Sequence, residues 1–232
     1  MIECLVFDMD DTLCPEREFV VRRLAAVARR LEEQFGPRID FERELVAGYE
    51  ADLRTNVFDT VLARAGIEPD PALIRELVEL YRSQPLDVTP YADAEPALAF
   101  WSLHLPLALV TDGYGPTQRA KLRAIGLGRY FREVVFTDDL GPEGLKPSVV
   151  PFQAVRERIG FRGPAMVVGD NPALDFPGPK QLRWQTVRIV RPGAKFAATR
   201  ADPACAPDRV IHSLAELETL DSLRECLGGG QA

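Results

Sequence analysis

Leu5-Val6-Phe7-Asp8-Met9-Asp10-Asp11-Thr12-Leu13 is the stretch on which the fold turns. An apolar run that stops abruptly at an acid reads as a strand buried on both faces, with a polar residue at its C-terminal end. The same switch recurs twice. Leu109-Val110 meets Thr111-Asp112-Gly113, and Val167-Val168 meets Gly169-Asp170-Asn171. Between and beyond these tips, apolar strands alternate with helical stretches. Helices near 93–103, 116–126, 149–160 and 173–183 precede strands at 105–110, 134–136, 165–168 and 186–190. Repeated units of this kind imply an α/β fold, a Rossmann-like parallel sheet with helices on both faces. Ligands bind outside the carboxyl ends of such strands. Asp8, Asp10, Thr111 and Asp170 therefore belong on one edge, with Asp175 shortly beyond and Lys146 on a loop within reach.

Residues 16–84 break the alternation. Phe19, Val20, Leu24, Val27, Ala28 and Leu31 recur at helical spacing until Gly36-Pro37, where the left-handed preference of Gly and the ring of Pro end a helix. Helices follow near 41–52, 56–65 and 71–82, and no strand interrupts them. The expected organisation is an α/β core, residues 1–14 and 87–232, carrying a small all-helical cap domain, residues 15–86. A capping-box match, Ser213-Leu214-Ala215-Glu216, opens a last helix. Gly228-Gly229-Gly230 reads as a frayed end.

The 232 residues suit a core with a smaller insert better than two full domains. Lys plus Arg number 28 against 35 Asp plus Glu, a net charge of −7. An acidic surface argues against nucleic acid or an anionic membrane as partner, since both need a basic footprint. A small anionic substrate is still allowed, because it feels only the field of its pocket. The four cysteines form no CxxC pair, and no charged-then-apolar leader is visible. The expectation is free thiols in a cytoplasmic protein, a monomer or homodimer.

Carboxylates crowded on one edge repel. Two unit charges ~4 Å apart cost ~4 kcal/mol at an effective dielectric of 20. A divalent cation removes that repulsion, and hard oxygen donors suit magnesium (Mg2+) better than zinc. Magnesium commonly uses one or two carboxylates plus water and a substrate phosphate. A lysine and a threonine hydroxyl suit the remaining phosphate oxygens. The set specifies phosphoryl transfer more readily than other chemistry.

Asp8-Met9-Asp10-Asp11-Thr12 resembles the DxDx[TV] signature of the haloacid dehalogenase (HAD) superfamily. Thr111 is similar to its second motif and Lys146, in Leu145-Lys146-Pro147, to its third. Gly169-Asp170-Asn171-Pro172-Ala173-Leu174-Asp175 is similar to the GDxxxxD fourth. The four occur in order over essentially the whole chain, with a helical insert where the superfamily places its smaller cap. The resemblance implies a phosphatase that hydrolyses a small phosphorylated metabolite through an aspartyl phosphate. It makes Asp8 the nucleophile and Asp10 the general acid and then base. It assigns metal to Asp8, Asp170 and the Asp10 backbone carbonyl, with Asp175 a metal-shell or Lys-orienting group. It gives phosphate to Thr111 and the amides of Asp112 and Gly113, and charge compensation to Lys146. Asp10 is absent from the superfamily's dehalogenases, which favours a phosphatase here. A phosphomutase keeps both aspartates, and a non-catalytic phospholigand-binding protein would not need Asp10.

Plainer readings compete at several positions. Asp8 could cap a loop, Thr111 could be a turn hydroxyl, and Asp175 could serve only a helix dipole. Asp11 is expected to face solvent or cap the turn, and Asp112 to contribute backbone rather than carboxylate. Asp138-Asp139 reads as a turn. Cys14 reads as an inert thiol. His104 and His212, the only histidines, are expected away from the site. Closure of the cap would exclude water, with hinges near Cys14-Pro15 and Gln84-Pro85. Arg17, Arg22, Tyr49, Arg54 and Asn56 are the polar cap candidates for substrate choice, with Tyr114 after the phosphate loop.

Overall fold

The computed structural model describes residues 1–51, 53 and 56–228. It divides into two compact units, Met1–Glu16 with Val88–Ala232, and Arg17–Asp87. Arg54 and Gly229-Gly230, singled out above, lie outside the described residues.

The first unit is built on β1 (Cys4–Phe7), β2 (Leu107–Thr111), β3 (Glu133–Phe136), β4 (Ala165–Gly169), β5 (Gln185–Ile189) and β6 (Arg209–Ile211). All pairings are parallel, in the order β3-β2-β1-β4-β5-β6. Successive side chains on a strand point to opposite faces, and the sheet uses this to make two cores. Leu5, Phe7, Leu107, Leu109, Met166, Val168, Val187 and Ile189 feed one face. Cys4, Val6, Ala108, Val110, Ala165 and Val167 feed the other. Both faces are buried, which is why these strands read as unbroken apolar runs. The chain runs outward from β1 to β3, then restarts at β4 on the other side of β1. That reversal places the crevice between the ends of β1 and β4 where ligands bind in open parallel sheets.

The first face is covered by α5 (Ala94–Ser102), with Leu98 and the fully buried Trp101, and the second by α7 (Val150–Ile159), with Phe152 and Val155. Helix α6 (Gly115–Ile125) starts directly after the β2 loop and ends at Gly126, whose φ of 70° is left-handed. The region expected as one helix at 173–183 is two, α8 (Pro172–Asp175) and α9 (Pro177–Gln181). Pro177 has no N–H to give residue 173, so the ladder breaks there. β6 has no counterpart among the strands expected from sequence. It is three residues long and its first two are exposed, so it carries almost no apolar signal. The capping box at Ser213 is present, and Glu216 accepts from Ser213 N at 2.9 Å. It opens a 3₁₀ turn over Leu214–Thr219, and the last helix, α10 (Asp221–Gly228), starts after it.

The second unit comprises α1 (Arg17–Phe35), α2 (Phe41–Glu50), α3 (Val57–Arg64) and α4 (Pro71–Ser83). Phe19, Leu24, Val27 and Leu31 of α1 pack with Phe41, Leu45, Phe58, Leu62 and Leu77. Asp40 caps α2 by accepting from Arg43 N at 3.0 Å, and Asp70 caps α4 by accepting from Ala72 N at 3.2 Å. Of the polar candidates here, Arg17 pairs with Glu50 and Arg22 with Asp87, both at exposed positions. Tyr49 packs against the helical core. Among the described residues no helix is long and apolar enough to cross a membrane.

Candidate active site

Asp8 extends β1 by one residue, its N–H still bonded to Val168 O at 2.9 Å. Asp170 follows β4 directly, so the two acids leave neighbouring strands side by side. Asp175 closes the first turn after Asn171, whose side chain caps α8. Carboxylate oxygens of Asp8, Asp170 and Asp175 lie within 4.8 Å of one another, and all three residues are buried. Lys146 Nζ sits among them, 2.6 Å from Asp8 Oδ1 and 2.7 Å from Asp175 Oδ1. The second Asp175 oxygen accepts from Asn171 N at 2.9 Å. Asp175 thus holds the lysine and the β4 loop together.

The charge balance is incomplete. Burial pushes the Asp8 acid well above the carboxylate range; Lys146 opposes this and Asp175 adds to it. Burial does the same to Asp170, reinforced by Asp175 and Asp8. Burial alone would lower the Lys146 ammonium, but Asp175 and Asp8 outweigh it and hold the proton firmly. One ammonium thus serves three acids. Oxygen-only donors with a residual negative charge are the ligand set a hard divalent cation takes.

Gly169 is required by close approach. A Cβ there would stand 2.5 Å from Asp175 Cγ and 2.8 Å from its Cβ. Gly169→Ala is therefore expected to displace Asp175 and destabilise the protein by about 1–3 kcal/mol, the usual effect of overpacking. Urea unfolding will show this as a lower midpoint at unchanged slope.

Thr111 ends β2 and is buried, and its Oγ1 accepts from Gln118 Nε2 at 2.7 Å. Gly113 has φ of 118°, a conformation glycine adopts without strain. The Asp112 side chain has a structural use of its own. Its carboxylate accepts from Thr137 Oγ1 at 2.8 Å and from Lys146 N at 3.2 Å, so it ties the phosphate-loop candidate to the lysine loop. Asp138 accepts from Gly115 N at 2.9 Å at the start of α6, and Asp139 pairs with Arg119.

Asp11 is not solvent-facing. It is buried at φ of 53°, and its oxygens accept from Glu16 N at 2.9 Å and Lys195 N at 3.1 Å. An acid tolerates this left-handed position because its side chain can bond nearby backbone. Burial raises its acid form despite those two bonds. Cys14 is fully buried, and burial and then Asp10 push its thiol up. His104 lies at the exposed end of α5 against Phe100, on the chain just before β2 and so at the opposite edge of the sheet.

The structure adds residues the sequence reading missed. Lys121 Nζ lies 2.6 Å from Asp10 Oδ1, and Gln118 Nε2 lies 2.8 Å from Asp10 Oδ2. Both sit on the buried face of α6 with Leu122 and Ile125. A lysine and a glutamine at core-facing positions of an amphipathic helix were the available signal. Arg188 is the third. It donates to Asp170 O at 3.3 Å and to Thr199 O at 2.8 Å, bracing the loop that carries Asp170.

Residues 2–183 match the family described as haloacid dehalogenase-like hydrolase. The glyceraldehyde 3-phosphate phosphatase of Methanopyrus kandleri is 31% identical, over 97% of this chain and 98% of its own. The phosphoglycolate phosphatase of Neisseria meningitidis is 29% identical, over 93% and 92%. Among solved structures, a HAD phosphatase from Thermococcus onnurineus is 25% identical, covers all of both chains and superposes with a TM-score of 0.69. By the family match and by a relative aligned along nearly its whole length, the chain belongs to the haloacid dehalogenase-like hydrolases.

Proposed function

We propose that this protein is a magnesium-dependent phosphomonoesterase that hydrolyses small organic phosphates through an aspartyl phosphate on Asp8. The observation that carries the reading is the ammonium of Lys146 bridging Asp8 and Asp175 beside Asp170. Asp8, Asp170 and the main-chain carbonyl of Asp10 would hold Mg2+, with Asp175 adjacent as the group that orients Lys146. When bound, the cation offsets the charge of the acids and of the phosphoryl group.

The residues then divide the work. A carboxylate oxygen of Asp8 attacks phosphorus while the bond to the ester oxygen breaks. Asp10 gives its proton to that oxygen, and the alcohol leaves. Asp10, now a carboxylate, takes a proton from water as the water attacks the phosphorus of the acyl phosphate. The bond from phosphorus to the Asp8 oxygen breaks, inorganic phosphate departs, and both acids return to their starting state. Thr111 and the amides of Asp112 and Gly113 bind the non-bridging oxygens, and Lys146 compensates their charge.

We assign Met1–Glu16 with Val88–Ala232 as the catalytic core and Arg17–Asp87 as the cap that selects substrate. The names of the relatives support phosphates of two- or three-carbon acids and aldehydes as the substrate class. The unpaired thiols fit a reducing, cytoplasmic setting.

The test is release of nitrophenol from p-nitrophenyl phosphate with magnesium or with EDTA, followed by glyceraldehyde 3-phosphate and phosphoglycolate as substrates. Turnover that needs the metal is the expected result. Binding of phosphorylated ligands without turnover would establish a binding protein instead, and halide release from a haloacid would establish a dehalogenase.

A further inference from the structure

Asp10 is held from two sides by one helix. Lys121 and Gln118 stand three positions apart on α6, so their side chains rise from the same face. Lys121 reaches Oδ1 at 2.6 Å, and Gln118 reaches Oδ2 at 2.8 Å. The same Gln118 nitrogen lies 2.7 Å from Thr111 Oγ1. Facing a carboxylate oxygen identifies that atom as the amide nitrogen rather than the oxygen. The Thr111 oxygen therefore accepts, and its own proton is left to donate elsewhere.

The pair is poorly explained as a device for stability. The Lys121 side chain is 3% exposed. Burying an ammonium carries a desolvation penalty that its partner often only balances, and apolar replacements are often neutral or better. Leu122 and Ile125 show what this face of α6 otherwise uses. The ammonium at this position is directed at Asp10 instead of being replaced by apolar packing.

We propose that Lys121 and Gln118 are positioning residues that fix the Asp10 carboxyl, and through Gln118 the Thr111 hydroxyl, in one arrangement for proton delivery to the leaving oxygen. The proposal rests on the assignment of Asp10 as general acid. Both act through Asp10, and Gln118 also through Thr111. Their effect appears in the step that expels the alcohol, and it grows with the basicity of that alcohol. A good leaving group departs without help, whereas a poor one needs its proton placed.

The experiment compares kcat/KM for p-nitrophenyl phosphate and phenyl phosphate, since this ratio covers only steps up to loss of the first product. The two esters share a ring and differ mainly in leaving-group basicity. The proteins are wild type, Asp10→Asn, Lys121→Met and Gln118→Leu, each checked for folding by circular dichroism. Lys121→Met is expected to lose about 10²-fold on phenyl phosphate, within the usual range for general-acid catalysis, and several-fold less on p-nitrophenyl phosphate. Gln118→Leu is expected to show the same bias at smaller amplitude, and it carries the test if Lys121→Met does not fold. Equal losses on both esters in these two variants, with a biased loss in Asp10→Asn, would overturn the positioning role alone. Equal losses in Asp10→Asn as well would overturn the acid assignment and the inference with it.

Discussion

Asp8→Asn is expected to lower kcat on p-nitrophenyl phosphate by about 10⁴-fold or more, the scale seen when one member of a covalent catalytic unit is removed, while the fold stays intact. The loss follows from chemistry: an amide oxygen cannot form the acyl phosphate that both half-reactions share. Retention of the fold follows from geometry. Asn keeps the volume of Asp8 and an oxygen that Lys146 can donate to, and Lys146 keeps its second partner, Asp175, at 2.7 Å. The variant also removes a penalty. Because burial and Asp175 hold the Asp8 acid high, the folded protein keeps that proton more tightly than the unfolded chain does. The resulting destabilisation is absent below about pH 4, the unfolded value. It grows as pH rises and is complete above the folded value. Asn carries no such term. Urea unfolding in EDTA at acid and at alkaline pH will therefore show Asp8→Asn gaining on wild type as pH rises. Loss of activity together with loss of the fold would instead make Asp8 a structural residue.

Much of this arrangement was legible in the chain because strand ends are loud. Val6-Phe7-Asp8 and Val168-Gly169-Asp170 change from apolar to acidic within a step or two, and a parallel sheet then brings such tips to one edge regardless of separation along the chain. What stayed hidden was of three kinds. β6 has a buried pattern only at Ile211, so burial could not mark it. Phe176, which separates α8 from α9, is itself buried, and apolar spacing ran across the break that the prolines impose. The third kind is polar side chains facing inward. Asp11 is expected from sequence to face solvent or cap the turn, and Gln118, Lys121 and Arg188 draw no expectation, because polar residues of these types are usually exposed. Asp11 is met by the amides of Glu16, five residues on, and of remote Lys195; Gln118 and Lys121 meet the carboxylate of remote Asp10, and Arg188 meets the carbonyl of Asp170. A polar residue at a core-facing position is the one mark such groups leave in sequence, and Gln118 and Lys121 left it.

Lys146→Met is expected to be the most destabilising single change at the site, because it removes the one counter-charge among the described residues that bonds both Asp8 and Asp175. Breaking a buried ion pair from one side typically costs about 3–5 kcal/mol, since the remaining charge is left without compensation. Here two acids are stranded, with Asp170 already beside them. The sign with pH separates this from loss of packing. In wild type the ammonium is held by Asp175 and Asp8 well above its ordinary value, so its contribution is complete throughout the neutral range and fades only in strong alkali. In Lys146→Met the remaining dependence belongs to the acids. Protonation relieves their repulsion, so the deficit in unfolding free energy should be larger at pH 8 than at pH 5, whereas a packing defect would be the same at both. Divalent cation should recover part of the deficit, because a ligand bound only to the folded state adds about 2.7 kcal/mol at one hundred times its dissociation constant. Activity should not return with it. A cation can neutralise the cluster, but it cannot donate from the position where Lys146 compensates the phosphoryl oxygens, and a residual loss of about 10²–10³ in kcat at saturating magnesium is the size expected for one such donor. Full recovery of both stability and turnover by magnesium would reduce Lys146 to a stand-in for the metal and remove it from the phosphate site.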